Sequence, residues 1–343
     1  MKCVALAVVA LLQLAVLAFM AGEREWVLRT GRTVYLRTAP VDPRDPMRNY
    51  VALNYDIAHV PPARCTGGLA ATLAHTNVIA RGTPVYAVLD TNGAVAQLVT
   101  LTDEHPTDAV YIRGRVDSHY GQPSIDVRYG IEAYFMQQDK ALALERERVR
   151  DGIQVPLEMA VALSPRGMAV IKGQRWAQLG IGLDVVPDPA QTNRQSDRRF
   201  VAVTMRLMNA GTTDVALVDL PAGRSFSLVP VNRWRRGNDW RWAGEKDPTP
   251  APQPADVVLL TPGQVLTNRF EFSNPYWFVV EDTTNKVDAV ATPLSHADLD
   301  WRAMFRLEYR APEPAVCTAL PHGDVIWHGR LASRAFSGDG RVD

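Results

Sequence analysis

In SIDVRYGIEAYFMQ, the residues Ile125, Val127, Tyr129 and Ile131 occupy every second position, so they share one face only if the segment is extended. Short runs of this kind, rich in β-branched and aromatic residues, recur between 24 prolines and 23 glycines spread along the chain. That punctuation predicts many strands joined by turns and very little helix. A chain of 343 residues exceeds what one small core usually holds, so two domains are expected.

The first domain is placed at 23–186. Its strands are read at Thr33 to Ala39, Tyr50 to Ile57, PVYAVLD, AVAQLVTL and AVYIRGRV, with a Gly/Ala/Thr-rich connector from Pro61 to Arg81. Asn92-Gly93 supplies the positive φ of a tight hairpin turn. One soluble helix is expected, in QQDKALALERERVRDG, starting near Asp139 and stopping at Gly152. VPLEMAVALS and MAVIKGQ then turn around Pro165, Arg166 and Gly167. The polar segment from Pro187 to Asp197 reads as a linker. Beyond it, alternating runs in RFVAVTMRLM, VALVDL, VVLLTPGQVLTNRFEF, MFRLEYR and DVIWHGRLASRAF predict an immunoglobulin-like β-sandwich over 198–343.

The uncharged run from Cys3 to Ala21 sets the location. As a helix it reaches about 30 Å, enough to cross a bilayer. A cleaved signal peptide is the alternative, but Phe19 lies near the cleavage position and the run exceeds the usual apolar core of such peptides. An uncleaved anchor over 1–22 fits better, as a single pass in the inner membrane with the body in the periplasm. Of the three cysteines Cys3 lies in this run, so Cys65 and Cys317 are the only pair left, and two buried free thiols are expected.

Lys and Arg total 37 against 37 Asp and Glu, which gives no support for nucleic-acid binding. The seven histidines are scattered with no metal-ligand spacing, and no glycine-rich phosphate loop is present, so neither metal nor cofactor is expected. No serine precedes Ser118 and no lysine lies between the apolar run and Lys140, which removes the Ser-Lys dyad of a signal peptidase. Asp117, Ser118 and His119 are consecutive and cannot converge as a triad. No catalytic residue is assigned.

Further chemistry concentrates in three places. Asp42, Arg44 and Asp45 form either a turn held by carboxylate-to-amide bonds or a ligand cluster, and the turn is the preferred reading. In YVALNY, Val51, Leu53 and Tyr55 form the core face, with Tyr55 at its edge, and Tyr50, Ala52 and Asn54 face away. Arg113 and Arg115 share a strand face that Arg128 joins. They either bind an anion or pair with Asp42, Asp45 and Glu132.

The block from Leu36 to Asp45, the trio Tyr50, Leu53 and Tyr55, the run from Tyr111 to Val116, and that from Arg128 to Phe135 together resemble the bacterial family named for its GDYxxLxY motif. The resemblance covers about half of the chain and implies a membrane-anchored protein of unassigned activity. The motif's Gly-Asp is Arg48-Asn49 here, where Asn49 can serve a turn as aspartate does.

RWRRGNDWRW interleaves Trp234, Trp240 and Trp242 with Arg235 and its neighbours, a composition that suits an exposed binding patch or a hairpin capping the sandwich. Two readings of function follow. The first is a non-enzymatic, membrane-tethered β protein that binds a partner such as an integral membrane protein. The second is a carboxylate-dependent hydrolase or carbohydrate-binding protein built on Asp42, Asp45 and Glu132. The first is preferred.

Overall fold

A computed structural model describes residues 2–38, 50–76, 78–118, 124–185, 202–230, 238–242, 251–270, 278–283, 291–293 and 304–337. The described chain is mainly β, with few helices. Its N-terminal part runs α1 (Lys2–Thr30), β1 (Arg32–Arg37), β2 (Tyr50–Ala52), β3 (His59–Val60), β4 (Cys65–Thr66), α2 (Gly68–Thr76), β5 (Pro84–Asp90), β6 (Gln97–Thr102), β7 (Tyr111–Ser118), β8 (Ile125–Arg128) and β9 (Ala133–Phe135). Then come α3 (Gln138–Glu147), β10 (Val149–Arg150), β11 (Ile153–Gln154), β12 (Leu157–Leu163), β13 (Ala169–Trp176) and β14 (Leu179–Val185). The remainder holds β15 (Val203–Asn209), β16 (Val215–Val218), β17 (Phe226–Pro230), β18 (Asn238–Trp242), β19 (Val257–Leu260) and β20 (Val265–Phe270). It closes with β21 (Phe278–Thr283), β22 (Ala291–Pro293), β23 (Met304–Arg310), α4 (Pro314–Cys317), β24 (Arg330–Ala332) and β25 (Phe336–Ser337).

Two compact units divide the chain: residues 1–142 with 157–175, and residues 143–156 with 176–343. The division lies ahead of the polar segment at 187–197, because β14 pairs along its whole length with β15 and so joins the second unit. The hairpin β10–β11 joins it too, through β14.

The first unit holds a sheet ordered β3-β8-β7-β5-β6-β4, a sheet ordered β1-β12-β13, and the pair β2-β9. Val85, Ala87, Ile112, Val116, Ile125 and Val127 bury one face of the six-stranded sheet, while Arg113, Arg115 and Arg128, alternating with them, are exposed on the other. In the second unit, Leu179, Leu207, Phe226, Phe270, Leu307 and Tyr309 bring two antiparallel sheets onto one core. There the Tyr309 hydroxyl accepts from Val218 N (2.9 Å) and lies 3.1 Å from Val218 O, which satisfies a buried strand end.

Helix α1 runs past the apolar segment through Glu23 to Thr30 and meets β1 after Gly31 alone. Leu11, Leu12, Leu14, Leu17 and Phe19 are all exposed, and of its described side chains only Val27 is buried. Among the described residues no helix is long and apolar enough to cross a membrane.

Several local expectations are corrected. The strand expected at Tyr50 to Ile57 ends at Ala52, and Asp56–Ala58 form a 3₁₀ turn. The connector from Pro61 to Arg81 contains α2, whose start is held from outside: Asp103 Oδ1 accepts Leu69 N–H at 3.3 Å. A side chain at Gly68 would collide with that carboxylate, so the cap depends on a glycine and on a residue distant in sequence. Gly152 does not stop α3, which ends at Glu147. Instead Asp151 and Gly152, both with positive φ, turn the hairpin β10–β11, as an Asp-Gly pair does in a type I′ turn. Asn92 and Gly93 have no positive φ; β5 and β6 pair antiparallel across a longer bend.

Cys65 and Cys317 are free and buried, one in each unit. Burial pushes the Cys65 thiol up to about 11 and raises that of Cys317. In a Cys3→Ser background at pH 8 neither is expected to react with a maleimide until guanidinium unfolds the chain. Rapid labelling of the native protein would show that the burial is wrong.

Candidate functional site

The family-marking segments converge in the first unit. Strand β2 pairs antiparallel with β9, with Tyr50 opposite Phe135 and Ala52 opposite Ala133. The pairing continues as Leu53 N–H donates to Glu132 O at 2.7 Å. Leu53 is buried, and Tyr55 is 0% exposed rather than at an edge. Tyr55 OH donates to Ile131 O (2.9 Å), and Tyr129 OH donates to Ile57 O (2.7 Å). Each tyrosine therefore satisfies a carbonyl two residues beyond the other. Burial, reinforced by the Glu132 charge, pushes both phenols far up, so both hydroxyls stay protonated and serve as donors. The clasp was readable in principle, since Tyr55-Asp56-Ile57 and Tyr129-Gly130-Ile131 repeat one pattern.

Glu132 does not meet the arginines. Its carboxylate accepts the amide N–H groups of Tyr129 and Gly130, the latter at 2.9 Å to Oε2, and so closes a tight turn at Gly130, where φ is 80°. Nearby, the end of β1 delivers Arg37 to a buried carboxylate: Arg37 Nη2 lies 3.1 Å from Glu158 Oε1, and Arg175 Nε lies 2.8 Å from Glu158 Oε2. Arg175 also covers the Tyr35 ring, at 3.5 Å from its centroid. Sequence reading missed this trio, because its members lie on three separate strands.

The open face of the six-stranded sheet gathers Arg113, Arg115 and Arg128, as strand spacing implied. Arg115 lies directly opposite Arg128 in the β7–β8 register, and Arg113 lies opposite Tyr86 in the β5–β7 register. Arg128 and Arg81 share Asp117, at 2.9 Å and 3.1 Å. Arg115 Nη1 donates to Gly82 O at 2.9 Å. His59, also exposed, has Nδ1 2.7 Å from Asp126 Oδ1 and Nε2 2.9 Å from Asn54 Nδ2, so both ring nitrogens are engaged. These pairings involve Arg81, Asp117, Asp126 and His59, which sequence reading did not select; only the three-dimensional register joins them.

Asp42, Arg44, Asp45, Trp234 and Arg235 lie outside the described residues. Trp240 and Trp242 sit at alternate positions of β18, opposite Glu281 and Val279 of β21. Among the described residues no group of three or more His, Cys, Asp or Glu is placed to hold a metal.

Residues 13–173 match the family model described as GDYXXLXY protein. Neither the curated proteins nor the solved structures yield a match.

Proposed function

The N-terminal half of the chain belongs to the GDYXXLXY family, and from that premise we propose a membrane-tethered, non-enzymatic β protein that binds a protein partner at the outer face of the inner membrane. The observation that carries this reading is α1: a continuous helix, exposed at its described apolar residues from Val9 to Met20, that enters β1 after a single glycine. The described part of α1 is not by itself long and apolar enough to cross a membrane, so the tether is read from the sequence: the uncharged run Cys3–Ala21 leaves no polar stripe, and a bilayer is the medium that would cover such a surface. About 12 Å of helix from Glu23 to Thr30 would carry the first unit past the headgroup layer and hold it near the surface. The second unit, with two antiparallel sheets on one core, is read as an immunoglobulin-like sandwich.

Binding rather than catalysis is favoured by how the polar groups are used. The Glu132 carboxylate is committed to backbone amides, and both His59 nitrogens have partners. A carboxylate pair for hydrolysis would need Glu132 turned toward a second acid. The partner in this reading is an integral membrane protein reached by the tethered units; neither nucleic acid nor a cofactor is involved.

Membranes from cells producing the full chain test the tether. The protein should stay in the pellet after alkaline carbonate, keep its N-terminal residues by intact mass, and be digested by protease added to spheroplasts. Release by carbonate, or a mature N-terminus after Ala18 or Ala21, would overturn the anchor. Crosslinking of the same membranes should then recover a membrane protein partner.

A further inference from the structure

The open face of the six-stranded sheet bears a feature that folding does not require. Arg115 and Arg128 are direct cross-strand neighbours, and like charges so placed destabilise a sheet. Among the described residues the ion pair they make is that of Arg128 with Asp117, a carboxylate that Arg81 shares. Arg115 turns to the Gly82 carbonyl, which satisfies donors without neutralising charge. Arg113, two residues along the same exposed face, makes no ion pair among the described residues. Among the described residues four arginines thus face Asp117 and, beside His59, Asp126, an excess of positive charge. Side chains of Arg81 and Arg128 are 71% and 64% exposed, so the guanidinium groups remain accessible.

We propose that this face, formed by β7, β8 and the Arg81 turn, docks an acidic, extended segment of a partner protein. Residues two apart on a strand are about 6.8 Å apart, which is also the repeat of every second side chain in an extended ligand. Carboxylates at that spacing meet Arg113 and Arg115 in turn, and a neighbouring one relieves the Arg115–Arg128 repulsion. Guanidinium groups bind carboxylates through paired N–H donors, which gives orientation as well as charge. Tyr86, beside Arg113 on the same face, adds the kind of aromatic surface common at protein interfaces. The inference rests on the partner-binding reading above and is independent of the tether.

The test uses the full chain in non-ionic detergent micelles and a fluorescent (Glu-Val)4 peptide, with (Gln-Val)4 as the neutral control. The acidic peptide should bind, more weakly as salt rises, while the control should not. An Arg115→Gln/Arg128→Gln variant should bind at least tenfold more weakly and melt no lower than the parent, because the like-charge pair is gone. Equal binding by the variant, or no binding by the parent, would overturn the proposal. So would saturable binding of short-chain phosphatidylglycerol through the same arginines without peptide binding, which would assign the face to lipid phosphate. Failure of the peptide in a carbonate-resistant chain removes this surface alone, whereas carbonate release removes the tether alone.

Discussion

Glu158→Gln should lower the stability of the first unit by about 3 to 5 kcal/mol, the usual cost of removing one partner from a buried ion pair. The size follows from where the charges sit. Glu158 and Arg37 side chains are 4% and 9% exposed, whereas Arg175 is 41% exposed and can recover water. The cost therefore falls on the buried end of the trio, where the Arg37 guanidinium loses the carboxylate that it meets at 3.1 Å. The two units need not unfold together, so the measurement is native-state hydrogen exchange at the β1 and β12 amides, which pair across this site. Protection there should fall by the stated amount. A paired Arg37→Met/Glu158→Met variant should recover most of it, since a buried pair is often replaceable by apolar side chains of similar volume. A loss below about 1 kcal/mol for Glu158→Gln would mean that Arg37 is balanced by other groups.

How much of this was legible in the sequence depends on the range of the interaction. Alternation placed β5, β7, β8, β15 and β23, because a half-buried strand writes its pattern locally. The shared face of Arg113 and Arg115 followed from the same period. What failed was set at a distance. Helix α2 is capped by Asp103, so nothing near Gly68 announces it. Gly152 alone reads as a helix stop, although with Asp151 it has the chemistry of a hairpin turn; only the pairing with β14 decides between them. A polar segment suggested a boundary at 187–197, yet the pairing of β14 with β15 drew the division to Arg175. Charge alone pairs Glu132 with arginines, while the fold gives its carboxylate to amides that approach through the Gly130 turn.

Tyr55→Ala should cost about 3 to 5 kcal/mol, the range for truncating a buried aromatic side chain, and the loss should appear at β2, β9 and the Asp56–Ala58 turn. The phenylalanine variant separates the parts of that effect. Tyr55→Phe keeps the ring and removes only the bond to Ile131 O, so about 1 to 3 kcal/mol is expected for leaving a buried carbonyl without its donor. Tyr129→Phe should lose a similar amount through Ile57 O. The two bonds tie the same pair of segments in opposite directions, so losing either loosens the other. The double Phe variant should therefore lose less than the sum of the single losses, by about 0.5 kcal/mol or more. Strict additivity would mean that the bonds act independently and that the clasp is no cooperative unit. The sharper outcome concerns the motif itself. If Tyr55→Ala left exchange protection unchanged but abolished recovery of a crosslinked partner, the motif would be a contact surface. A tyrosine wholly shielded from water, donating to a carbonyl inside its own unit, has no means of touching a partner, and on that ground the motif's last residue is assigned to holding the first unit together.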